Sequence, residues 1–140
     1  MTTPDEARSK IMRAVRSKDT QPELAVRHVL HALGYRYRLH RKDLPGSPDL
    51  VFVRRRKVIF VHGCFWHGHN CKRGARQPKS NADYWQAKIA RNQTRDVSSV
   101  NALQKAGWKS MIVWECELSL AERDGLTSRL IDFLGPLAKS

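Results

Sequence analysis

No run of about 18 apolar residues interrupts this chain of 140, so a membrane-spanning helix is not expected. The opening stretch MTTPDEARSK has no apolar centre, so it does not read as a secretory signal, and a cytoplasmic setting is expected. Acidic residues are scarce: 13 Asp and Glu stand against 26 Lys and Arg, a formal charge of +13. That excess argues for a polyanionic partner, and for nucleic acid before an anionic membrane, because no basic amphipathic helix with a large apolar face stands out. Cysteine is scarce as well. The 3 thiols cannot all pair within one chain, and in a reducing compartment cysteines clustered with histidines read as metal ligands before they read as disulfides. There is no repeat, linker or low-complexity segment, and the length suits a single core.

The positive charge is unevenly spread. Residues 1–57 carry a net +8, residues 58–110 a net +7 and residues 111–140 a net −2. The first two thirds are therefore expected to build the surface that faces a polyanion. Periodicity predicts a basic amphipathic helix from Asp5 to about Ser17. TQPE then reads as a capping box, with Thr20 as N-cap and Glu23 at the third position, opening a helix with Leu24, Val26, Val29, Leu30 and Leu33 inward and Gly34 as its stop. YRYRL alternates like a strand, and DLVFV and VIFV, separated by RRRK, read as a buried hairpin. Residues 64–80 lack an apolar period and read as loop. A long helix to about Ala106, a strand WKSMIVWE and a helix from about Ala121 to Leu134 complete a mixed α/β domain.

The stretch VIFVHGCFWHGHNC concentrates chemistry that packing does not require. Cys64, His69 and Cys71 fall within eight residues, and Cys116, at the end of MIVWEC, is placed to meet them as a fourth ligand. Four nitrogen and sulfur donors with no open position make a structural zinc site. The alternative is a set of buried free thiols with surface histidines. A zinc deaminase is set aside, since its H-x-E and P-C-x-x-C elements are missing.

A second group surrounds Asp49, which follows PGSP and opens an otherwise apolar strand. It suits magnesium held by one carboxylate, a backbone carbonyl and waters, and it also suits a plain turn residue after Pro48. His62 and His67 flank Cys64 on the same loop. Phosphodiester hydrolysis needs an activated water, a general base and positive charge at the phosphate, which Asp49 with a metal and His67 would supply. Phe65 and Trp66 lie beside these histidines, and Tyr84 and Trp85 open the long helix. Aromatics on a basic surface can wedge between bases, although the same rings could cover the metal loop.

With SKIMRAVRSKDTQPE, LPGSPDLVF, VIFVHGCFWHGHNC, YWQAKIARN and GWKSMIVWEC, nearly the whole chain resembles the very-short-patch repair endonucleases. That family nicks DNA beside a T:G mismatch arising from deaminated 5-methylcytosine. The resemblance implies a restriction-endonuclease-like fold: a central mixed β-sheet flanked by helices, with a basic arm at 1–19 and the catalytic domain at 20–140. It implies Mg2+ on Asp49 and the Val61 carbonyl, His67 as general base, His62 at the phosphate and Glu23 in support. Cys64, His69, Cys71 and Cys116 match the structural Zn2+ ligands. Phe65, Trp66 and Trp85 match the mismatch wedge, Met12 the arm residue that reaches in from the opposite groove, and Lys88 and Asn92 base or phosphate contacts. The implied partners are double-stranded DNA with a T:G mismatch, mismatch-repair proteins and, functionally, a cytosine-5 DNA methyltransferase. The implied setting is a bacterial cytoplasm, near the nucleoid, with the protein as a monomer. The chain departs from the family at Val61, where threonine is common.

Two other readings stay open on the residues alone: a restriction-type endonuclease of the same fold cutting matched DNA, and a non-catalytic zinc DNA-binding module. Asp49 with His67 speaks against the module, and the aromatic wedge against cutting of matched DNA.

Overall fold

A computed structural model of the chain describes residues 20–65, 67–69, 71 and 82–136. The helix expected from Asp5 to Ser17 lies outside them.

Helix α1 (Gln21–Ala32) starts where the capping residues put it: the Thr20 hydroxyl accepts the Glu23 amide at 3.3 Å, and Pro22 sits in the first turn, where a missing N–H costs nothing. Its inward face is Glu23, Val26 and Leu30. Leu24, expected to point inward, is 47% exposed. At about 100° per residue it falls off the stripe set by Val26 and Leu30, and a charged residue, Glu23, holds an inward place beside them.

The sheet has four strands in the order β1 (Arg38–Leu39), β2 (Leu50–Phe52), β3 (Lys57–His62) and β4 (Lys109–Trp114). The strand expected at YRYRL is reduced to Arg38–Leu39, antiparallel to β2. β2 and β3 form the expected antiparallel hairpin, with Leu50 opposite Ile59. β4 returns parallel to β3 after the long helix α2 (Ala82–Lys105), which makes the crossover that a parallel pair requires. A 3-10 turn (Glu115–Leu118) precedes the last helix, α3 (Arg123–Leu134), so that helix begins two residues later than expected.

Both faces of the sheet are covered, which is why β2 and β3 are apolar at successive positions rather than alternating. On one face Leu50, Phe52, Ile59, Met111 and Val113 pack with Val26 and Leu30 of α1 and Leu126, Leu130 and Leu134 of α3. On the other, Val51, Val58 and Phe60 pack with Leu103 of α2, with Leu44, Trp108 and Ile112 at the margin. Truncating Leu30 or Leu103, both fully buried, would cost about 2–5 kcal/mol through lost transfer energy and the cavity left behind. At the far end of α3, Arg55 donates to the carbonyls of Leu134 (2.9 Å) and Pro136 (3.1 Å), and Lys57 donates to that of Phe133. These are cations capping the negative end of a helix.

Among the described residues no helix is long and apolar enough to cross a membrane.

Candidate active site and metal centre

Strand register brings the chemistry to one end of the sheet. Because β2 is antiparallel to β3, Asp49, one residue before β2, lies beside the carboxyl end of β3, and its Oδ2 accepts the Val61 amide at 2.7 Å. Burial pushes the Asp49 carboxyl up to about 7; the Val61 amide works against this, while the neighbouring Glu23 adds to it. A buried carboxyl at a strand end, facing a second carboxylate, is a place where a divalent cation can replace the proton.

Glu23 is 2% exposed. Its carboxylate pairs with Arg27 and lies 2.8 Å from His40 Nε2, while its amide is the one that Thr20 caps. Glu23 therefore serves both the helix start and the site. His40, which the sequence reading did not single out, is the residue after β1; its amide donates to the Asp49 carbonyl at 3.1 Å and its φ of 50° is left-handed. Donor atoms of Glu23, His40 and Asp49 all lie within 4.8 Å of one another.

His62, last in β3, and His67, in the following loop, stack with ring centroids 3.7 Å apart and planes 4° from parallel. His67 Nδ1 is 2.6 Å from Asp96 Oδ2; His62 Nε2 is 3.8 Å from Asp96 Oδ1, too far for a hydrogen bond. Burial, reinforced by the adjacent His67, lowers the His62 imidazole to about 4, with Asp96 opposing the shift. His62 is thus neutral near pH 7, and any contact it makes with a phosphate is that of a neutral ring. Asp96 was also missed in the sequence. Its signal was there: between Tyr84 and Trp114 it is the only acid in a strongly basic stretch.

The loop that carries His67 rests on α2. At Gly68, where φ is 63°, an added Cβ would come within 2.8 Å of Ile89 Cγ2, so only glycine lets the loop lie this close.

Cys64, His69, Cys71 and Cys116 converge, with donor atoms within 4.8 Å of one another. Cys116 Sγ is 3.6 Å from His69 Nδ1, which matches the edge of a tetrahedron with zinc-length bonds, about 3.5–3.8 Å. The Cys116 amide donates to Cys64 Sγ at 3.4 Å. Burial drives the Cys64 thiol up to about 12 and raises Cys116 as well, so both are protonated thiols unless a metal ion displaces the protons. The donor set, two half-buried and one fully buried sulfur plus an imidazole, fits a closed N/S site and leaves no place for water.

Of the aromatics, Phe65 and Trp85 meet edge to face at 6.1 Å, and Tyr84, 54% exposed, meets Trp85 at 5.0 Å. Lys88 and Asn92 are one turn apart on α2, both half-buried. Met12 and Trp66 lie outside the described residues.

Comparison with known proteins places the chain among DNA endonucleases. Residues 2–73 match the family model described as DNA mismatch endonuclease Vsr. The chain is 55% identical over 131 residues to the type II nicking enzyme V.XorIIP of Xanthomonas oryzae, covering 94% of each. It is 47% identical to the type II nicking enzyme V.NmeAIP of Neisseria meningitidis, covering 79% of each. It is also 40% identical to the DNA mismatch endonuclease Vsr of Escherichia coli, over 91% of this chain and 83% of that one. With a family model matched over residues 2–73 and relatives 40–55% identical along most of its length, this chain belongs to the Vsr family of DNA endonucleases.

Proposed function

We propose that the protein nicks one strand of duplex DNA, 5′ to the T of a T:G mismatch, by magnesium-dependent hydrolysis that opens very-short-patch repair. The observation that carries this reading is the His67–Asp96 pair, 2.6 Å between Nδ1 and Oδ2, set beside a buried Asp49. Asp96 accepts a hydrogen bond from Nδ1–H of His67 and so leaves Nε2 free to take a proton from the attacking water. His62, neutral and stacked on His67, holds that ring in one orientation and adds no competing charge.

Asp49 and the Val61 carbonyl would hold Mg2+, with Glu23 beside them. When bound, the ion supplies positive charge at the scissile phosphate and lowers the pKa of a water ligand. If the Val61 backbone alone contributes, threonine and valine serve equally at this position. Cys64, His69, Cys71 and Cys116 would hold Zn2+ as a structural ion that ties the histidine loop to the end of β4. Phe65 and Trp85, with Trp66, would enter the stack at the mismatch, where unstacking is cheapest. Met12 would approach from the opposite groove, and Lys88 and Asn92 would contact base edges or phosphates.

One duplex panel tests the proposal: T:G, C:G and T:A pairs at the same position, with Mg2+ and with EDTA. Nicking of the T:G strand alone, and only with Mg2+, is expected. Equal cutting of all three duplexes would make this a restriction-type enzyme, and inertness towards all three would leave a DNA-binding module. His67→Ala and Asp49→Ala should abolish nicking while leaving DNA affinity within about tenfold, since many Lys and Arg contacts to phosphate supply most of it.

A further inference from the structure

Trp114 ends β4 directly opposite His62 in the parallel ladder, and its ring meets all three described histidines of the loop region in two orientations. It stacks on His69 at 4.1 Å with planes 11° apart. It stands edge to face against His62 (5.3 Å, 75°) and His67 (6.4 Å, 72°). The Trp114 backbone is anchored beside these rings. The main-chain amide of Trp114 donates to Glu117 Oε1 at 3.0 Å, and Glu117 is in turn paired with Arg129 of α3. One ring therefore borders a residue of the N/S cluster on the one hand and the stacked histidine pair on the other.

We propose that Trp114 is a positioning residue of the nicking reaction: it aligns the His62–His67 stack with Asp96 by sharing its ring with His69 of the metal-binding loop. The loop has few other restraints near His67. Its backbone contacts there are the amides of His67, Gly68 and His69 to the carbonyls of Gly63, Phe65 and Cys64, which are local to the loop, and one long bond from Gln93 Nε2 of α2 to the Gly68 carbonyl at 3.4 Å. Contacts within the loop fix its shape and the approach of Gly68 to α2 fixes its distance from that helix, but neither sets the orientation of the His67 ring towards Asp96. Trp114 supplies a reference from the sheet. Edge-to-face contacts between aromatic rings favour one geometry, and an imidazole that binds a cation stacks more firmly on an indole face. Order at the N/S cluster is thereby passed to the His67 ring. Loss of alignment by about 1 Å at a general base costs on the order of a hundredfold in rate.

The inference rests on His67 acting as general base, and the experiment separates the two claims. The zinc-loaded chain carrying Trp114→Leu or Trp114→Phe is compared with the parent. Metal content, DNA affinity, single-turnover nicking rate and KM are measured, together with the imidazole proton resonances of His62, His67 and His69 recorded without DNA. Trp114→Leu should keep its metal and its DNA affinity within about twofold, shift all three sets of resonances and lose roughly 10- to 100-fold in rate at nearly unchanged KM. Trp114→Phe, which keeps an aromatic face, should recover most of the rate. Should the leucine variant not fold, Trp114→Met takes its place with the same expectations. A parental rate in the leucine variant, or a rate loss matched by equal loss of metal and affinity, would overturn the proposal and leave Trp114 a wall of the fold. Parental nicking by His67→Ala would instead remove the base assignment, while the resonance shifts in the Trp114 variants would still report whether the ring orients the stack.

Discussion

Asp96 on α2 reaches both His67, at 2.6 Å, and the vicinity of His62, at 3.8 Å, although 29 residues separate it from the former. One carboxylate thus faces two parallel imidazoles of which only His67 is close enough to share a proton with it. Removing its charge without its shape is the direct test. Asp96→Asn should lower the nicking rate by on the order of 10²–10⁴-fold through loss of the His67 tautomer and orientation, with DNA affinity within about tenfold. Single-turnover kinetics beside a binding titration measure both. A parental rate would take Asp96 out of the mechanism.

The cluster of Cys64, His69, Cys71 and Cys116 makes a prediction about composition. The purified protein should hold one zinc per chain, and Cys116→Ser should lose the metal and melt at lower temperature, because ion binding at such a site is folding energy. Elemental analysis with thermal melting decides this. A metal-free protein with unchanged melting would leave three free thiols in its place.

Asp49 makes a pH prediction whose sign is opposite to that of an ordinary paired carboxylate. Its value in the folded protein is about 7, raised chiefly by burial from an ordinary 3.8. The folded state therefore holds this proton more tightly than the unfolded chain does. The stability it contributes is complete below the lower value and is lost as pH rises through about 7. In metal-free protein, Asp49→Asn escapes that loss. The variant should match the parent near pH 4 and exceed it by on the order of 1 kcal/mol or more near pH 8. Adding Mg2+ at the higher pH should stabilise the parent and leave the variant unmoved. Denaturant unfolding at the two pH values checks this, and a variant less stable than the parent near pH 8 would contradict it.

The contact between Phe65 and Trp85 predicts discrimination. If these rings enter the stack, Trp85→Ala should weaken T:G binding by about 1–3 kcal/mol while barely affecting a matched duplex, since stacking is gained only where a pair opens cheaply. Affinities for both duplexes at one fixed salt concentration are needed. Equal losses would make the pair a cover for the loop.

Much of this was legible in the chain itself. The hairpin around RRRK, the crossover helix and the parallel return strand follow from apolar runs and turn residues. The N/S cluster follows from local spacing plus a single distant cysteine. What the sequence hid is what depends on register and helix phase. Leu24 looked inward because it is apolar, yet the α1 stripe passes through Glu23, Val26 and Leu30. His40 reaches the site only because β1 pairs with β2 as Leu39 opposite Leu50. Asp96 meets His67 only because a glycine lets the loop rest on α2 at one particular turn. None of these follows from composition or period, since each is a property of two segments brought together.

The cations that hold the fold also change how the protein should respond to salt. Arg55 and Lys57 are engaged by the last carbonyls of α3, Arg27 by Glu23, and the Arg56 guanidinium lies 5.5 Å from the Trp108 ring centroid. These four belong to the most basic third of the chain, yet none is simply available to replace sodium along a duplex. Counterion release scales with the phosphates actually neutralised, about 0.9 ions for each. The slope of log affinity against log salt should accordingly fall well short of what a formal charge of +13 suggests. Binding will then persist at salt concentrations where a protein with all its basic residues on the DNA would already have let go.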